Sequence, residues 1–271
     1  MLKGLKIGVI GGGNMGSVLI GGLVTHGLSD ANDITVSDII EEKRAQLTHT
    51  WKVHTTVDNL EAVLKKDIVI LAVKPQNMNA VLEQVSSAID QSSLIISIAA
   101  GIPTRRIEGY FKAAAKIVRV MPNTPALIGE GASALACGRH ATAEDMQLAF
   151  ELFDAVGLTL EVDEDLMDVV TAISGSGPAY GFLFIESMVD AAAALGLGRD
   201  VALTLASQTL LGAAKMCLKK EKTPAELRDM VTSPGGTTIE ALKIFDQRQL
   251  RNTIIEAVKA AARRSMELAI G

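Results

Sequence analysis

The fold is decided by IGVIGGGNMG, residues 7–16. A short apolar run with two β-branched types ends in three glycines, and MGSVLIGGLVTHG then follows with helical spacing. Gly11, Gly13 and Gly16 form G-x-G-x-x-G between a strand and a helix. Gly11 allows the tight turn, Gly13 the close approach of a pyrophosphate, and Gly16 close helix–sheet packing. The helix start adds free N–H groups and a positive dipole end that suit phosphates. The motif predicts a dinucleotide-binding βα turn.

Outward from this turn, further strands follow: DITVS (33–37), DIVILAV (67–73), SLIISIA (93–99) and KIVRVM (116–121). Amphipathic stretches such as NAVLEQVSSAI separate them. Continuous apolar strands alternating with helices predict an α/β fold, a doubly wound parallel sheet of Rossmann type covered on both faces. GASALAC (131–137) and GLTLEV (157–162) finish the sheet or its edge, with Thr142 as N-cap of the helix between them. Asp38 ends the second strand, where a carboxylate can bond a ribose 2′-OH and so favours NADH. Asp38 also suits an N-cap for IEEKRAQL, while Lys43 and Arg44 keep NADPH open. Ala72-Val73-Lys74-Pro75-Gln76 and Ala99-Ala100-Gly101 close two more strands at the edge where such sheets bind ligands. Lys74 suits a phosphate or ribose, Gly101 a close backbone approach, and Pro75 a fixed turn.

From Asp163 the grammar changes to helical spacing throughout. Pro178 and Thr223-Pro224 mark helix starts, and Gly196 and Gly198 a break between long helices. We place a dinucleotide-binding domain at residues 1–163 and an all-helical dimerisation and substrate domain at 164–271. MVDAAAALGLG and TLASQTLLGAAKM are apolar on more than one face, which predicts burial against another subunit. Within this half VTSPGGTTIEAL (231–242) stops one helix and starts another with unusual punctuation. Gly235 and Gly236 permit backbone angles at which successive N–H groups converge on an anion, at a helix start.

Composition narrows the classes. The 271 residues are 48% hydrophobic and 21% charged, with a net charge of -5. This balance opposes general nucleic-acid binding, which needs clustered cations. No run of residues approaches the ~18 apolar positions of a membrane span. The N-terminus runs straight into the glycine motif, unlike a signal peptide. Cys137 and Cys217 lie in no CxxC pattern and read as two buried thiols in a reducing compartment, the cytoplasm. His26, His49, His54 and His140 lack metal-ligand spacing, so no metal is expected.

IGVIGGGNMG, LAVKPQ, SIAAG, RVMPNTPALIGEG, ISGSGPAY, GAAKM and DMVTSPGGTTIEAL, taken in order, resemble pyrroline-5-carboxylate reductases over essentially the whole chain. The resemblance implies reduction of a cyclic imine carboxylate to L-proline by NADPH or NADH. It implies a homodimer of interlocking helical domains, often assembled into a decamer, with the active site completed by the dimer. It implies that Ile10, Gly11, Gly12, Gly13, Asn14 and Met15 cradle the pyrophosphate and that Asn59 lies near the adenosine. Ala72, Val73, Lys74 and Pro75, with Ala99, Ala100 and Gly101, would line the nicotinamide side, bordered by Met121, Asn123 and Thr124. Glu164, Ser233, Gly235, Gly236, Thr237 and Thr238 would hold substrate. Two positions depart from the pattern. Met230 stands where some relatives have Asn, and Asp38 where many have Ser, Asn or Arg to receive a 2′-phosphate.

Reduction of C=N needs an anchored carboxylate, a hydrogen-bonded imine nitrogen and a hydride within reach. SPGGTT suits the first two, with Thr238 bonding the nitrogen and relaying a proton from water. A hydroxyl is too weak an acid to act alone, so positioning and electrostatics carry the rate. Two alternatives stand beside this reading. One is a 3-hydroxy-acid-type dehydrogenase using Lys215 or Lys243 as base, and the other a non-catalytic NAD(P)-binding sensor.

Overall fold

A computed structural model describes residues 2–270. One eight-stranded sheet is built from β1 (Ile7–Ile10), β2 (Ile34–Ser37), β3 (His54–Thr56), β4 (Ile68–Leu71), β5 (Leu94–Ser97), β6 (Lys116–Met121), β7 (Gly131–Cys137) and β8 (Gly157–Glu161). Helices α1 (Asn14–Thr25), α2 (Glu41–Trp51), α3 (Asn59–Val63), α4 (Met78–Val85), α5 (Thr104–Glu108) and α6 (Ala143–Asp154) lie between the strands. The spatial order is β3-β2-β1-β4-β5-β6-β7-β8, so the order reverses between β1 and β4, next to the glycine turn.

Both faces of β1, β2, β4 and β5 are buried, which explains why these strands read as apolar runs. Ile68 and Ile70 of β4 join Leu19, Ile20 and Leu23 of α1 and Phe153 of α6 in one core. Val69 and Leu71 point the other way, among Met78, Leu82 and Val85 of α4. Such a strand has no polar face to alternate with.

The structure differs from the sequence reading in three places. First, β6 and β7 pair antiparallel, whereas the other neighbours are parallel. Residues 122–130 join them, too few for a parallel crossover of about a dozen or more. Second, β3 was not legible, because His-Thr-Thr is short, polar and at the sheet edge. Third, Cys137 and Cys217 are free thiols but both exposed rather than buried.

Contacts divide the chain into two compact units, Met1–Ser176 with Ala261–Gly271, and Gly177–Ala260. After Glu161 the described residues contain no strand; α7 (Met167–Val170), α8 (Gly177–Ala194), α9 (Arg199–Leu218), α10 (Pro224–Met230), α11 (Thr237–Gln247) and α12 (Leu250–Ile270) follow. A single π-helical turn, Thr171–Gly175, continues α7. Pro178 lies in the first turn of α8, and Thr223 caps α10 reciprocally with Glu226. The end of α12 is tied to α7 by Ser265, whose hydroxyl donates to Asp168 Oδ1 at 2.6 Å.

Helices α8 and α9 meet through Val189, Ala202 and Ala206. They nevertheless leave Phe182 64%, Leu183 63%, Leu203 52% and Leu205 56% exposed. By length and composition alone α9 could cross a membrane. Gln208 and Lys215 interrupt its apolar run, and Arg199 and Asp200 open the helix.

The best-anchored helix start is that of α6. Thr142 accepts from the Asp145 N–H, and the Thr142 N–H and hydroxyl both donate to Asp145 Oδ2. Lys116 Nζ lies 3.1 Å from Oδ1. Burial opposes the charge on Asp145, but the bonds from Thr142 and Lys116 prevail and hold its carboxyl below the ordinary 3.8. A depressed carboxyl contributes stability that is complete above its unfolded value and is lost as pH falls through the folded one. Asp145→Asn should therefore cost about 1–2 kcal/mol at neutral pH, with the gap narrowing below the ordinary value of 3.8. Urea melts at neutral pH and at about pH 3 check this. An equal gap at both would contradict it.

Candidate functional site

The glycine turn is shaped by what surrounds it. Gly11 has φ +106°, and a Cβ there would stand 2.6 Å from the Ala72 carbonyl oxygen. A Cβ on Gly16 would overlap the Gly11 carbonyl oxygen. Gly16 thus closes the turn onto itself, and the sheet lies beyond, at Ala72. Gly13, the N-cap of α1, faces open space and has no side-chain capping bond. The α1 start therefore offers uncapped N–H groups over a surface without a Cβ, which suits a pyrophosphate. Asn14 and Met15 form its first turn, and Ile10 ends β1 behind it. A cleft of about 530 Å³ runs from Gly12, Gly13 and Asn14 along α1 towards Trp51.

Asp38 follows β2 and turns back to this loop. Its Oδ2 accepts from Gly12 N–H at 2.9 Å and its Oδ1 from Ile40 N–H at 2.9 Å. Ile40, not Asp38, is the N-cap residue of α2. Lys43 Nζ stands 3.8 Å from Oδ2, and Arg44 Nη1 donates to the Asp38 carbonyl. Acid and base thus stand together just after β2.

The other candidate cofactor positions follow the carboxyl ends of strands. Ala72, Val73, Lys74 and Pro75 leave β4, with Lys74 exposed before the 3₁₀ turn Pro75–Asn77. Ala99, Ala100 and Gly101 leave β5, and Gly101 has φ +72°. Met121 ends β6, while Thr124 is exposed at the next turn. Two asparagines are already engaged. Asn59 accepts from Ser37 Oγ and donates to Gln84 Oε1. Asn123 accepts from Ala132 N–H and donates to the Ser174 carbonyl, tying β6 to β7 and to the π-helical turn. A Cβ on Gly175 in that turn would overlap Met121 Cε.

In the helical unit, Ser233 to Thr238 form the turn from α10 to α11. Gly235 has φ +70° and faces open space. Gly236 is the N-cap of α11, donates to the Ser233 carbonyl at 3.0 Å, and has no side-chain cap. Thr237 and the half-buried Thr238 open α11, so N–H groups and two hydroxyls gather at one helix start. Met230 is 58% exposed and receives Lys222 Nζ at 3.1 Å on its sulfur. Lys243 pairs with Glu240, and Lys215 is exposed on α9. Among the described residues no cluster of His, Cys, Asp and Glu could hold a metal ion.

Glu164 belongs to the sheet-bearing unit, and its carboxylate turns inward. Oε1 accepts from Arg119 Nη1 at 3.0 Å and from Thr104 N–H at 3.1 Å. Arg119 sits on β6 and is 4% exposed. The sequence reading passed over it, although a charge inside KIVRVM was a visible signal.

A Rossmann-type sheet with this glycine turn, followed by an apolar helical region, defines a nicotinamide-dinucleotide oxidoreductase. Residues 6–101 match the family described as NADP oxidoreductase coenzyme F420-dependent, and residues 164–268 that described as pyrroline-5-carboxylate reductase dimerisation. A pyrroline-5-carboxylate reductase of Methanosarcina acetivorans is 45% identical over 98% of this chain and 99% of its own. The solved pyrroline-5-carboxylate reductase of Coxiella burnetii is 40% identical, with a TM-score of 0.91 over 98% of each chain. The Plasmodium falciparum pyrroline carboxylate reductase, solved with NADP bound, is 32% identical with a TM-score of 0.90 over 99% of this chain and 100% of its own. The chain belongs to the pyrroline-5-carboxylate reductase family.

Gly16→Ala tests the turn. The added methyl cannot fit against the Gly11 carbonyl, so the start of α1 must shift. NADPH affinity, followed by fluorescence titration, should fall roughly 10- to 100-fold. An unchanged affinity would show that the turn tolerates a wider geometry.

Proposed function

We propose that the protein reduces the C=N bond of 1-pyrroline-5-carboxylate to L-proline, the last step of proline synthesis. The observation that carries the chemistry is the uncapped start of α11 at Gly236, with Thr237 and Thr238 directly behind it. Its N–H groups hold the substrate carboxylate, with a hydroxyl from Ser233 or Thr237. The Thr238 hydroxyl orients the imine nitrogen and relays a proton between it and water. The reduced nicotinamide, when bound, supplies the hydride. As the ring carbon gains hydride, the C=N π pair becomes a nitrogen lone pair, and the nitrogen carries one proton in the amine product. Ile10 to Met15 hold the pyrophosphate, Asp38 and Asn59 face the adenosine side, and the loops at Ala72–Pro75, Ala99–Gly101 and Met121–Thr124 line the nicotinamide side. Glu164 belongs to the substrate set.

The cofactor is NADPH or NADH. Asp38 favours a ribose 2′-OH, while Lys43 offers the charge a 2′-phosphate needs. We place residues 1–163 with the cofactor and 164–271 with dimerisation and substrate. The dimer forms through the helical region and assembles further into a decamer, with neither nucleic acid nor membrane as partner. The exposed apolar side chains of α8 and α9 support a second copy as the covering surface. The proposed location is the cytoplasm, where exposed thiols stay reduced.

Purified protein should oxidise NADPH or NADH on addition of pyrroline-5-carboxylate, and comparing the two reads the charge balance at Asp38. No turnover with either would remove this reading, leaving a binding protein or a different dehydrogenase. Thr238→Ala should lower kcat on the order of 10²-fold while cofactor affinity stays within about 2-fold. An unchanged kcat would take Thr238 out of the mechanism. Leu205→Glu, a charge placed on the exposed face of α9, should shift the mass seen by sedimentation towards monomer. An unaltered mass would move the interface elsewhere.

A further inference from the structure

Arg119 is a buried cation that no step above uses. Its Nη1 reaches Glu164 Oε1, but Arg119 Nη2 and Glu164 Oε2 are buried without a hydrogen-bond partner among the described residues. Such a pair is a poor stabiliser. Both charges are largely removed from water, the contact is single rather than bidentate, and a packed apolar pair would fill the place without desolvating charge. A contribution to stability therefore does not account for it.

Its position suggests another role. Glu164 Oε1 also accepts the N–H of Thr104, the first residue of α5. The chain reaches Thr104 directly from Ala99–Gly101. Arg119 lies beside Ser97 in the β5–β6 register and shares a strand face with Met121 two residues on. Beyond Glu164 the chain runs into α7 and the π-helical turn that packs on Met121 and bonds Asn123. One carboxylate and one guanidinium thus fasten together the loop after β5, the end of β6 and the segment after β8.

We propose that Arg119 is a positioning residue which, through Glu164 and the Thr104 N–H, sets the Ala99–Gly101 loop and Met121 against the nicotinamide side of the site. This rests on the assignment of those loops to the nicotinamide made above. It also recasts Glu164, whose carboxylate acts through the chain it fastens.

The test compares Arg119→Met with the charge-free double variant Arg119→Met/Glu164→Leu, in the full-length assembled protein. The single variant strands a buried carboxylate and should lower both melting temperature and kcat. The double variant should regain the melting temperature but not kcat, which stays down on the order of 10- to 100-fold with KM for pyrroline-5-carboxylate little changed. A double variant that turns over at the wild-type rate would overturn the proposal, because the pair would then serve stability alone. Should the double variant not fold, Arg119→Lys decides. Assayed well below its melting temperature, a kcat loss supports positioning, and an unchanged kcat refutes it. If wild type binds NADPH but does not reduce pyrroline-5-carboxylate, the substrate reading fails by itself. The positioning role is then read from NADPH affinity, which Arg119→Met should weaken several-fold and which would stay constant if the loop were placed without Arg119.

Discussion

The Gly11 carbonyl oxygen is the point on which the sheet-bearing unit turns. It occupies the volume a Cβ on Gly16 would need, while Gly11 itself abuts the Ala72 carbonyl. These approaches bring the start of α1 to the edge of the sheet where strand order reverses. Leu19, Ile20 and Leu23 of α1 then fall on the strand side chains of that face. The same closeness leaves the helix start uncapped, so the geometry that folding needs also suits a phosphate. Glycine is costly in the unfolded chain, and burial of the α1 face offsets that cost.

The helical region obeys the opposite constraint. Its helices carry more apolar surface than one chain covers, with Phe182, Leu183 and Leu205 each more than half exposed. Apolar area on that scale is unusual for a lone chain. It accords with the match of residues 164–268 to a family dimerisation region.

Legibility in the sequence followed the strength of local signals. The glycine turn, the β-branched runs and the Thr142 and Thr223 caps each depend on neighbours within a few residues, and the structure has them where the sequence places them. β3 escaped because three polar residues carry no pattern. The strand β7 was read at its observed bounds, but its antiparallel direction escaped because direction is a property of the connection, and only the shortness of residues 122–130 hinted at it. The positions of the candidate site residues were legible as strand ends and helix starts. Their bonding was not: the partners of Asn59, Asn123 and Glu164 lie 9 to 60 residues away in sequence.

That bonding narrows where chemistry can come from. Asn59 and Asn123 are each held at both ends of the amide, and Glu164 has one oxygen doubly bonded and the other buried. Side chains committed in this way hold neighbouring segments in place and are poor proton donors or acceptors for a substrate. Uncommitted groups among the candidate residues include main-chain N–H at the start of α1 in one unit and, in the other, main-chain N–H at the start of α11 with the Ser233, Thr237 and Thr238 hydroxyls. None of these is a strong acid or base. Groups of this kind anchor anions and align reactants, which suits hydride transfer to an imine because the electron pair moves without an enzyme base. If the loops take the role proposed for them, the polar side chains that hold them serve catalysis through alignment.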